Sequence, residues 1–286
     1  RTSQHALNRA ASGPARLVQQ SLEEAILALR MQRPDEAERV AAGVLKANRS
    51  NLLAAQILGR ALLMQDRAAE AVIPLERAAR RSDDPAIETE LAGALAAAGR
   101  TDAAFDRLQR ITARRPPFVP AFLEYSNQLA RGGRHDEAMT VLARGLEAAP
   151  DAVDLRVTLA FAHIKRNDRV SARALLQRAA ADAPQRPDVL AALARVLAQD
   201  GEYSAAADLF RRALALQPDD AVTRSSLGAC LLEMGERDAG EASLRQAARG
   251  GPQMVGQTIT ALASASHGRF FLRPSDAVKF LHIDKK

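Results

Sequence analysis

The chain is poor in aromatic residues and in cysteine, and both shortages limit what it can be. Aromatic residues make up 3% of the 286 residues, and there is no tryptophan. The interior must therefore be filled by aliphatic side chains, mainly alanine and leucine, which favour helices. Strand-like alternation of Val, Ile and Thr is also missing. Cys230 is the single cysteine, so a disulfide within the chain is excluded.

Long apolar runs and catalytic signatures are missing as well. No run approaches the roughly 20 residues that a membrane-spanning helix requires. The sequence contains no P-loop, GxGxxG, GxSxG, HExxH or CxxC motif, and its five histidines lack the spacing of metal ligands. Cys230 precedes Leu231 in a predicted helix, which indicates a buried structural thiol. We therefore expect a protein that is not an enzyme and that holds no metal and no cofactor.

A repeat of 34 residues organises most of the sequence. Five of the thirteen prolines stand at this interval: Pro116, Pro150, Pro184, Pro218 and Pro252. They define units 85–118, 119–152, 153–186, 187–220 and 221–254, preceded by a shorter unit 52–84 and a degenerate unit 18–51. A fixed period of this length is typical of arrays in which each unit packs on its neighbours. The default function of such an array is binding rather than catalysis.

Each unit is predicted to be two helices joined by a tight turn. The turn position carries only residues that tolerate a positive φ: Asp66, Gly99, Gly133, Asn167, Gly201 and Gly235. Two columns of small residues allow the helices to approach closely: Gly59, Ala92, Ser126, Ala160, Ala194 and Gly228, and Ala71, Ala104, Ala138, Ala172, Ala206 and Gly240. The repeated proline is expected to end the second helix of its unit, because it has no N–H to donate.

These residues resemble the tetratricopeptide repeat (TPR) over positions 18–254. Unit 187–220 carries the pattern best, with Ala194, Gly201, Tyr203, Phe210 and Pro218 in the expected places. The resemblance implies an all-α, right-handed superhelical solenoid of about seven helical hairpins. Residues 1–17 are expected to be a linker or a frayed N-terminal segment. Residues 255–286 are expected to form a C-terminal cap, with a short helix over 275–282 that folds Phe270, Phe271 and Phe280 onto the last unit.

The family resemblance also implies a concave groove, lined by the first helix of each hairpin, that holds a peptide or a partner helix. Projecting the sequence onto it selects eight candidate side chains: Arg60, Leu123, Asn127, Arg131, Phe161, Ile164, Lys165 and Arg195. Phe161, Ile164 and Leu123 offer apolar contact, Asn127 a hydrogen bond to a peptide backbone, and the basic residues a charge for carboxylates. The expected partner is therefore a protein or extended peptide with acidic and apolar residues.

The net charge of +6 leaves another class of partner open, namely nucleic acid or an anionic membrane surface. Five arginines share one position of the second helix: Arg77, Arg110, Arg144, Arg178 and Arg212. A solubilising ridge is the simpler interpretation. The sequence argues against nucleic acid, because aromatic platforms between the charges are lacking.

The leading hypothesis is a non-enzymatic scaffold that binds a protein or peptide in the groove. One alternative is the substrate-recruiting region of a larger enzyme, such as a glycosyltransferase or sulfotransferase, since the chain begins at Arg1 and reads as a processed or partial product. A second alternative is the basic nucleic-acid or membrane-surface binder, and a third is self-association through the C-terminal cap. The sequence does not determine the compartment, although a soluble, cytoplasmic protein is slightly favoured over a periplasmic one. The Ala- and Arg-rich composition is compatible with a bacterial source.

Overall fold

The computed structural model describes residues 2–271 and 273–281, and the side chains of residues 15–271, 273 and 275–281. This part of the chain contains sixteen α-helices and no strand. Their bounds are α1 (Thr2–Arg30), α2 (Pro34–Ala47), α3 (Leu52–Met64), α4 (Ala68–Ala79), α5 (Pro85–Ala97), α6 (Thr101–Thr112), α7 (Val119–Arg131), α8 (His135–Ala148), α9 (Val153–Lys165), α10 (Arg169–Asp182), α11 (Pro187–Gln199), α12 (Tyr203–Leu216), α13 (Ala221–Glu233), α14 (Arg237–Ala248), α15 (Pro252–Ser264) and α16 (Pro274–Phe280). None of the described helices is both long enough and apolar enough to cross a membrane.

Helices α1 to α14 pair into seven consecutive hairpins, which confirms the all-α fold class. The chain divides into two compact units, residues 1–150 and residues 151–286. The first unit contains hairpins α1–α2 to α7–α8, and the second contains hairpins α9–α10 to α13–α14 together with α15 and α16. Within each unit, successive hairpins pack on one another. The packing also involves first helices of neighbouring hairpins, such as α3 with α5 and α11 with α13.

The predicted turn residues all have positive φ angles. Gly99, Gly133, Gly201 and Gly235 have φ between 76° and 82°, and Asp66 and Asn167 have φ of 59°. The left-handed residue stands two residues after the last helical residue. It allows the N–H of the following residue to bond back to a carbonyl oxygen in the last turn of the helix. An example is the bond from Arg100 N to Leu95 O, 2.8 Å.

The first hairpin turns at a residue that the sequence does not reveal. Gln32 has a φ of 58°, and the N–H of Arg33 bonds to Ala28 O at 2.9 Å, as in the later hairpins. A glutamine at this position carries the cost of a Cβ in the left-handed region. The degenerate first unit therefore keeps the geometry of the repeat while it loses the residue that signals it.

The repeated prolines follow the second helices as predicted in three units and depart from the prediction at the end of the array. Helices α8, α10 and α12 end two residues before Pro150, Pro184 and Pro218. Pro252 does not end a second helix: it begins α15, four residues after the end of α14. Proline suits the first helical position because the N–H there has no intrahelical acceptor. The expectation that Pro252 terminates its unit was therefore wrong.

The small-residue columns are buried between paired helices, with large apolar side chains packed around them. Leu75, Leu108, Leu176, Phe210 and Leu244 are fully buried. The close approach that the two columns predict is observed at two facing glycines in the second unit. A methyl group built on Gly228 would lie 3.0 Å from the carbonyl oxygen of Gly240, and one built on Gly240 would lie 3.0 Å from that of Gly228. The backbones of α13 and α14 therefore touch where neither residue has a side chain.

The C-terminal segment packs against α13 to α15. Phe271 and Phe280 lie 5.3 Å apart and adjoin a cluster that includes Leu232, Leu244 and Leu262. Phe270 does not join them, since 75% of its surface is exposed, so the expectation that all three rings fold onto the last unit was wrong. The predicted helix 275–282 is observed from Pro274 to Phe280, and residue 282 lies outside the described residues.

The guanidinium groups of Arg245 and Arg269 flank the Phe280 ring, at 5.1 Å and 4.7 Å from its centroid. The same two arginines approach the buried carboxylate of Glu241, which also pairs with Arg237.

At the other end of the chain, α1 begins at Thr2, within the segment predicted to be a linker or a frayed helix. The domain boundaries drawn from the sequence stay predictions.

Candidate functional site

The structure places the eight predicted groove residues on first helices of the hairpins, and all eight are exposed or half-buried. The helices that carry them are α3 for Arg60, α7 for Leu123, Asn127 and Arg131, α9 for Phe161, Ile164 and Lys165, and α11 for Arg195. Four of the residues lie in each compact unit. Arg60, Leu123, Asn127 and Arg131 belong to the first unit, and Phe161, Ile164, Lys165 and Arg195 belong to the second.

Phe161 and Arg195 are the central pair of the second unit. They are 34 residues apart and so hold the same place on successive first helices. The guanidinium carbon of Arg195 lies 6.0 Å from the centroid of the Phe161 ring, which is within the range of a cation–π interaction. The ring keeps 38% of its surface exposed, in a chain with few aromatic residues. The pair therefore presents apolar area and positive charge side by side.

The charge of Arg195 is only partly balanced by the protein. Burial lowers the pKa of Arg195, and the negative charge of Asp220 acts against that change. Asp220 itself is occupied with the start of α13, where its carboxylate accepts hydrogen bonds from the N–H groups of Val222 and Thr223. No carboxylate in the described part of the chain forms an ion pair with Arg195. An external carboxylate at this guanidinium would gain a charge-assisted hydrogen bond.

Ile164 and Lys165 extend the same surface along α9. Ile164 is half-buried and packs on the apolar core formed by α9 to α13, so its position is fixed. Lys165 is the last residue of α9 and is exposed. Lys165 therefore adds a positive charge on a flexible stem, whereas Ile164 adds a rigid apolar contact.

The surface of α3 and α5 in the first unit has a different electrostatic character, because its arginine, Arg60, is already paired. Arg60 on α3 donates a hydrogen bond to the carboxylate of Glu90 on α5. Burial raises the pKa of Glu90, although its bonds with Arg60 and Gln56 act in the opposite direction. The second oxygen of Glu90, Oε2, is buried and has no hydrogen-bond partner among the described residues. Arg60 therefore balances a buried acid and is not a free cation.

A second glutamate strengthens this acidic character. The Glu124 carboxylate lies over Gly93, with Oε1 3.1 Å from the place that a Cβ of Gly93 would take. The side-chain amide of Gln128 donates to the same oxygen at 2.6 Å. The sequence projection missed both Glu90 and Glu124. Their signal was available, because they stand 34 residues apart on first helices.

Leu123, Asn127 and Arg131 follow one another at four-residue spacing on α7 and so share one face of that helix. Leu123 is half-buried, whereas Asn127 and Arg131 are exposed. The structure therefore brings an apolar, an amide and a basic side chain into one row of the first unit.

The histidine and cysteine side chains of the second unit and the repeated arginines of the second helices do not add to these surfaces. Nδ1 of His163 lies 2.9 Å from Oδ2 of Asp168, and Asp168 caps α10 by accepting the N–H of Ser171. Cys230 is buried, and burial raises the pKa of its thiol to about 11. The five arginines that share one position of the second helix are all exposed, and we call them the stripe arginines: Arg77, Arg110, Arg144, Arg178 and Arg212. Within the described residues, no group of three His, Cys, Asp or Glu side chains is placed to hold a metal ion.

Comparison with known proteins places these hairpins in a family. Two models described as tetratricopeptide repeat match the chain, one over residues 22–87 and the other over residues 129–196 and 197–255, together more than half of its length. No curated protein matches the chain in sequence.

Solved structures match over most of the chain. A tetratricopeptide repeat protein from Parabacteroides merdae is 14% identical, with a TM-score of 0.55, and the match covers 84% of this chain and 98% of that one. The human IFIT1 dimer with PPP-AAAA is 17% identical, with a TM-score of 0.58, covering 86% and 62%. The APC/C hetero-tetramer Cut9–Hcn1 is 17% identical, with a TM-score of 0.53, covering 91% and 55%. At these identities the likeness concerns the fold alone.

Proposed function

Because this chain belongs to the tetratricopeptide repeat family of protein-interaction scaffolds, we propose that it binds an extended segment of a partner protein. The binding surface in this proposal is the exposed surface of the first helices. The pair formed by Phe161 and Arg195 carries this proposal. The scaffold itself performs no chemistry in this proposal. It holds the partner in place, as the absence of catalytic motifs also suggests.

The partner segment that fits the second unit carries an acidic residue next to an apolar one. The apolar side chain covers the exposed face of Phe161, and removing that face from water supplies most of the binding free energy. The acidic side chain pairs with Arg195, whose guanidinium is already partly removed from water and forms no ion pair with any described residue. Lys165 contributes long-range attraction, which acts mainly on the rate of association.

The first unit favours a different contact. Arg60 is the one basic residue of α3 and α5, and it is paired with Glu90, while Glu124 lies over Gly93; this surface therefore offers a carboxylate no free positive charge. Asn127 and Arg131 remain as the polar contacts of α7, where the amide bonds to a peptide backbone and the guanidinium to an acidic residue. We therefore assign the acidic and apolar preference chiefly to the second unit.

The test compares capture of partners from a lysate of source cells by the full chain and by two variants, Phe161→Ala and Arg195→Gln. The matched controls are Val170→Ala, which removes an apolar side chain that is 83% exposed on α10, and Arg178→Gln, which removes a stripe arginine. Peptides that cover the sequence of the captured protein are then prepared, and the affinity of the full chain and of each variant for these peptides is measured by fluorescence anisotropy. We expect each test variant to weaken binding of one acidic and apolar peptide about tenfold or more.

Two results would contradict the proposal. One is equal affinity of all four variants for the peptide, which would place the contact elsewhere on the molecule. The other is a bound peptide that keeps its affinity when its acidic residues are replaced by amides. Circular dichroism and melting curves of each variant establish that the fold is unchanged.

A second candidate, binding to an anionic surface, is favoured by one observation, namely that all five stripe arginines are exposed. Retention on heparin that falls after Arg110→Gln and Arg178→Gln, and that is unchanged by Phe161→Ala, would support it. Retention that is insensitive to these two arginines would remove it.

A further inference from the structure

A small cleft opens in the first unit beside the loop 113–118, which joins α6 to α7. Its volume is about 160 Å³. Six residues line it: Thr112, Arg115, Phe122, Arg144, Glu147 and Ala148. They come from the end of α6, the loop, the first turn of α7 and the last turns of α8. None of the eight predicted groove residues lines this cleft, so it is a feature distinct from the surface proposed above.

The cleft has two guanidinium groups on its wall and one carboxylate. Arg115 and Arg144 are both exposed, and neither forms an ion pair within the described residues. The one internal bond of the Arg115 guanidinium goes to the backbone oxygen of Arg114, at 3.1 Å. Glu147 supplies a single negative charge and is also exposed. The wall therefore keeps an excess of one positive charge and has guanidinium N–H donors free for a ligand.

Two apolar side chains, Phe122 and Ala148, also line the cleft. Phe122 on α7 is buried, with 2% of its surface exposed, and Ala148 near the end of α8 is half-buried. The Thr112 hydroxyl already donates to the backbone oxygen of Leu108, at 2.9 Å, so it offers the cleft only an acceptor. A fully hydrated anion gains nothing from these groups. An anion with a short apolar body gains contact with Phe122 and Ala148.

The combination is particular to this repeat. At intervals of 34 residues after Arg115 stand Ala149, Ala183 and Gln217, so no later unit has a second guanidinium at this place. Phe122 is likewise replaced by Arg156 and Leu190 in the next two units. Arg144 alone recurs along the stripe. The cleft is therefore not a general consequence of stacking hairpins.

We propose that this cleft is a binding site for a small carboxylate that bears an apolar group, with Arg115 and Arg144 holding the carboxylate and Phe122 and Ala148 contacting the apolar body. Guanidinium forks match the planar geometry of a carboxylate. The volume is below the roughly 300 Å³ of pockets for drug-sized ligands, so the occupant is a single acid or a single amino-acid side chain or terminus.

The test uses benzoate as the probe and the full chain as the protein. Binding is measured by isothermal titration and by saturation-transfer NMR, with benzyl alcohol as the uncharged analogue. We expect saturable benzoate binding, and an increase of about tenfold in Kd for Arg115→Gln and for Arg144→Gln. Glu147→Gln should have the opposite effect, a Kd lowered about threefold, because it removes the one like charge beside the bound carboxylate.

The matched control is Arg178→Gln, which removes the arginine of the same stripe in the next repeat and should leave benzoate affinity unchanged. All substituted side chains are exposed, so the fold should be retained and melting curves will verify it. The proposal is overturned if benzoate shows no saturable binding, or if Arg178→Gln weakens binding as much as Arg144→Gln. It is also overturned if benzyl alcohol binds as well as benzoate, or if inorganic phosphate displaces benzoate at equal concentration.

One further arm identifies the source of the carboxylate. A short peptide ending in a free phenylalanine carboxylate is compared with the same peptide ending in an amide. Competition by the acid form alone indicates the terminus of a protein, and benzoate binding without competition by either peptide indicates a free small acid.

Discussion

The contact between Gly228 and Gly240 allows the packing argument to be tested with a single methyl group. Replacing Gly228 with alanine in the middle of α13 ought to stabilise the helix by about 1 kcal/mol through helix propensity alone. The structure indicates the opposite outcome. The added methyl would lie 2.7 Å from Cγ of Leu244 and 3.0 Å from the Gly240 carbonyl oxygen.

Neither of these neighbours can move cheaply. The Leu244 side chain is fully buried, and the carbonyl oxygen belongs to the backbone of α14. Overpacking of this kind costs about 1–3 kcal/mol, and two simultaneous contacts favour the upper half of that range. After the gain from helix propensity is subtracted, Gly228→Ala should lower the free energy of unfolding by about 1–2 kcal/mol.

The matched control is Gly256→Ala in α15 of the same unit, where the new methyl would have no neighbour within 4 Å. It should raise the free energy of unfolding by up to about 1 kcal/mol. Urea unfolding followed by circular dichroism measures both variants against the wild type. The reasoning is refuted if Gly228→Ala stabilises the protein as much as Gly256→Ala does.

Three further predictions follow from buried or capping side chains. Leu176→Ala should lower the free energy of unfolding by about 2–5 kcal/mol, measured by urea titration, because Leu176 is fully buried. Asp220→Ala should cost about 1 kcal/mol at pH 7. Burial would raise the pKa of Asp220, but its hydrogen bonds from Thr223 and Val222 outweigh that effect and lower it. The advantage of wild type should therefore be complete above the ordinary carboxyl pKa and shrink as pH falls below it, in unfolding curves from pH 7 to pH 3. Cys230, whose pKa burial raises to about 11, should react with a disulfide reagent at pH 8 only after urea is added.

Features that repeat with the 34-residue period were the ones that the sequence could predict. The left-handed turn at Asn167 and the burial of Ala172 follow from columns in which every unit carries residues of the same kind. The contact between Phe161 and Arg195 was not predicted, although the two residues hold the same position in successive units. Identity of position in successive units translates directly into nearness in space.

Features that belong to a single unit could not be predicted from the sequence. Gln32 has a left-handed backbone conformation, although glutamine is not a residue type that signals such a turn. The bond from Arg60 to Glu90 depends on the rotamers of two long side chains, which column position does not fix. The cleft at Arg115 depends on the path of one loop. Only a three-dimensional arrangement reveals such local departures from the repeat.

The packing of neighbouring hairpins also bears on how quickly this chain reaches its folded state. The most extensive contacts in each unit are those between helices adjacent in sequence, such as α11 with α12 and α13 with α14. Such contacts close only short loops, so little chain entropy is lost before the first apolar surfaces meet. Chains dominated by local contacts fold in microseconds to milliseconds. We therefore expect each unit to collapse hairpin by hairpin on that timescale, with no slow search for distant partners.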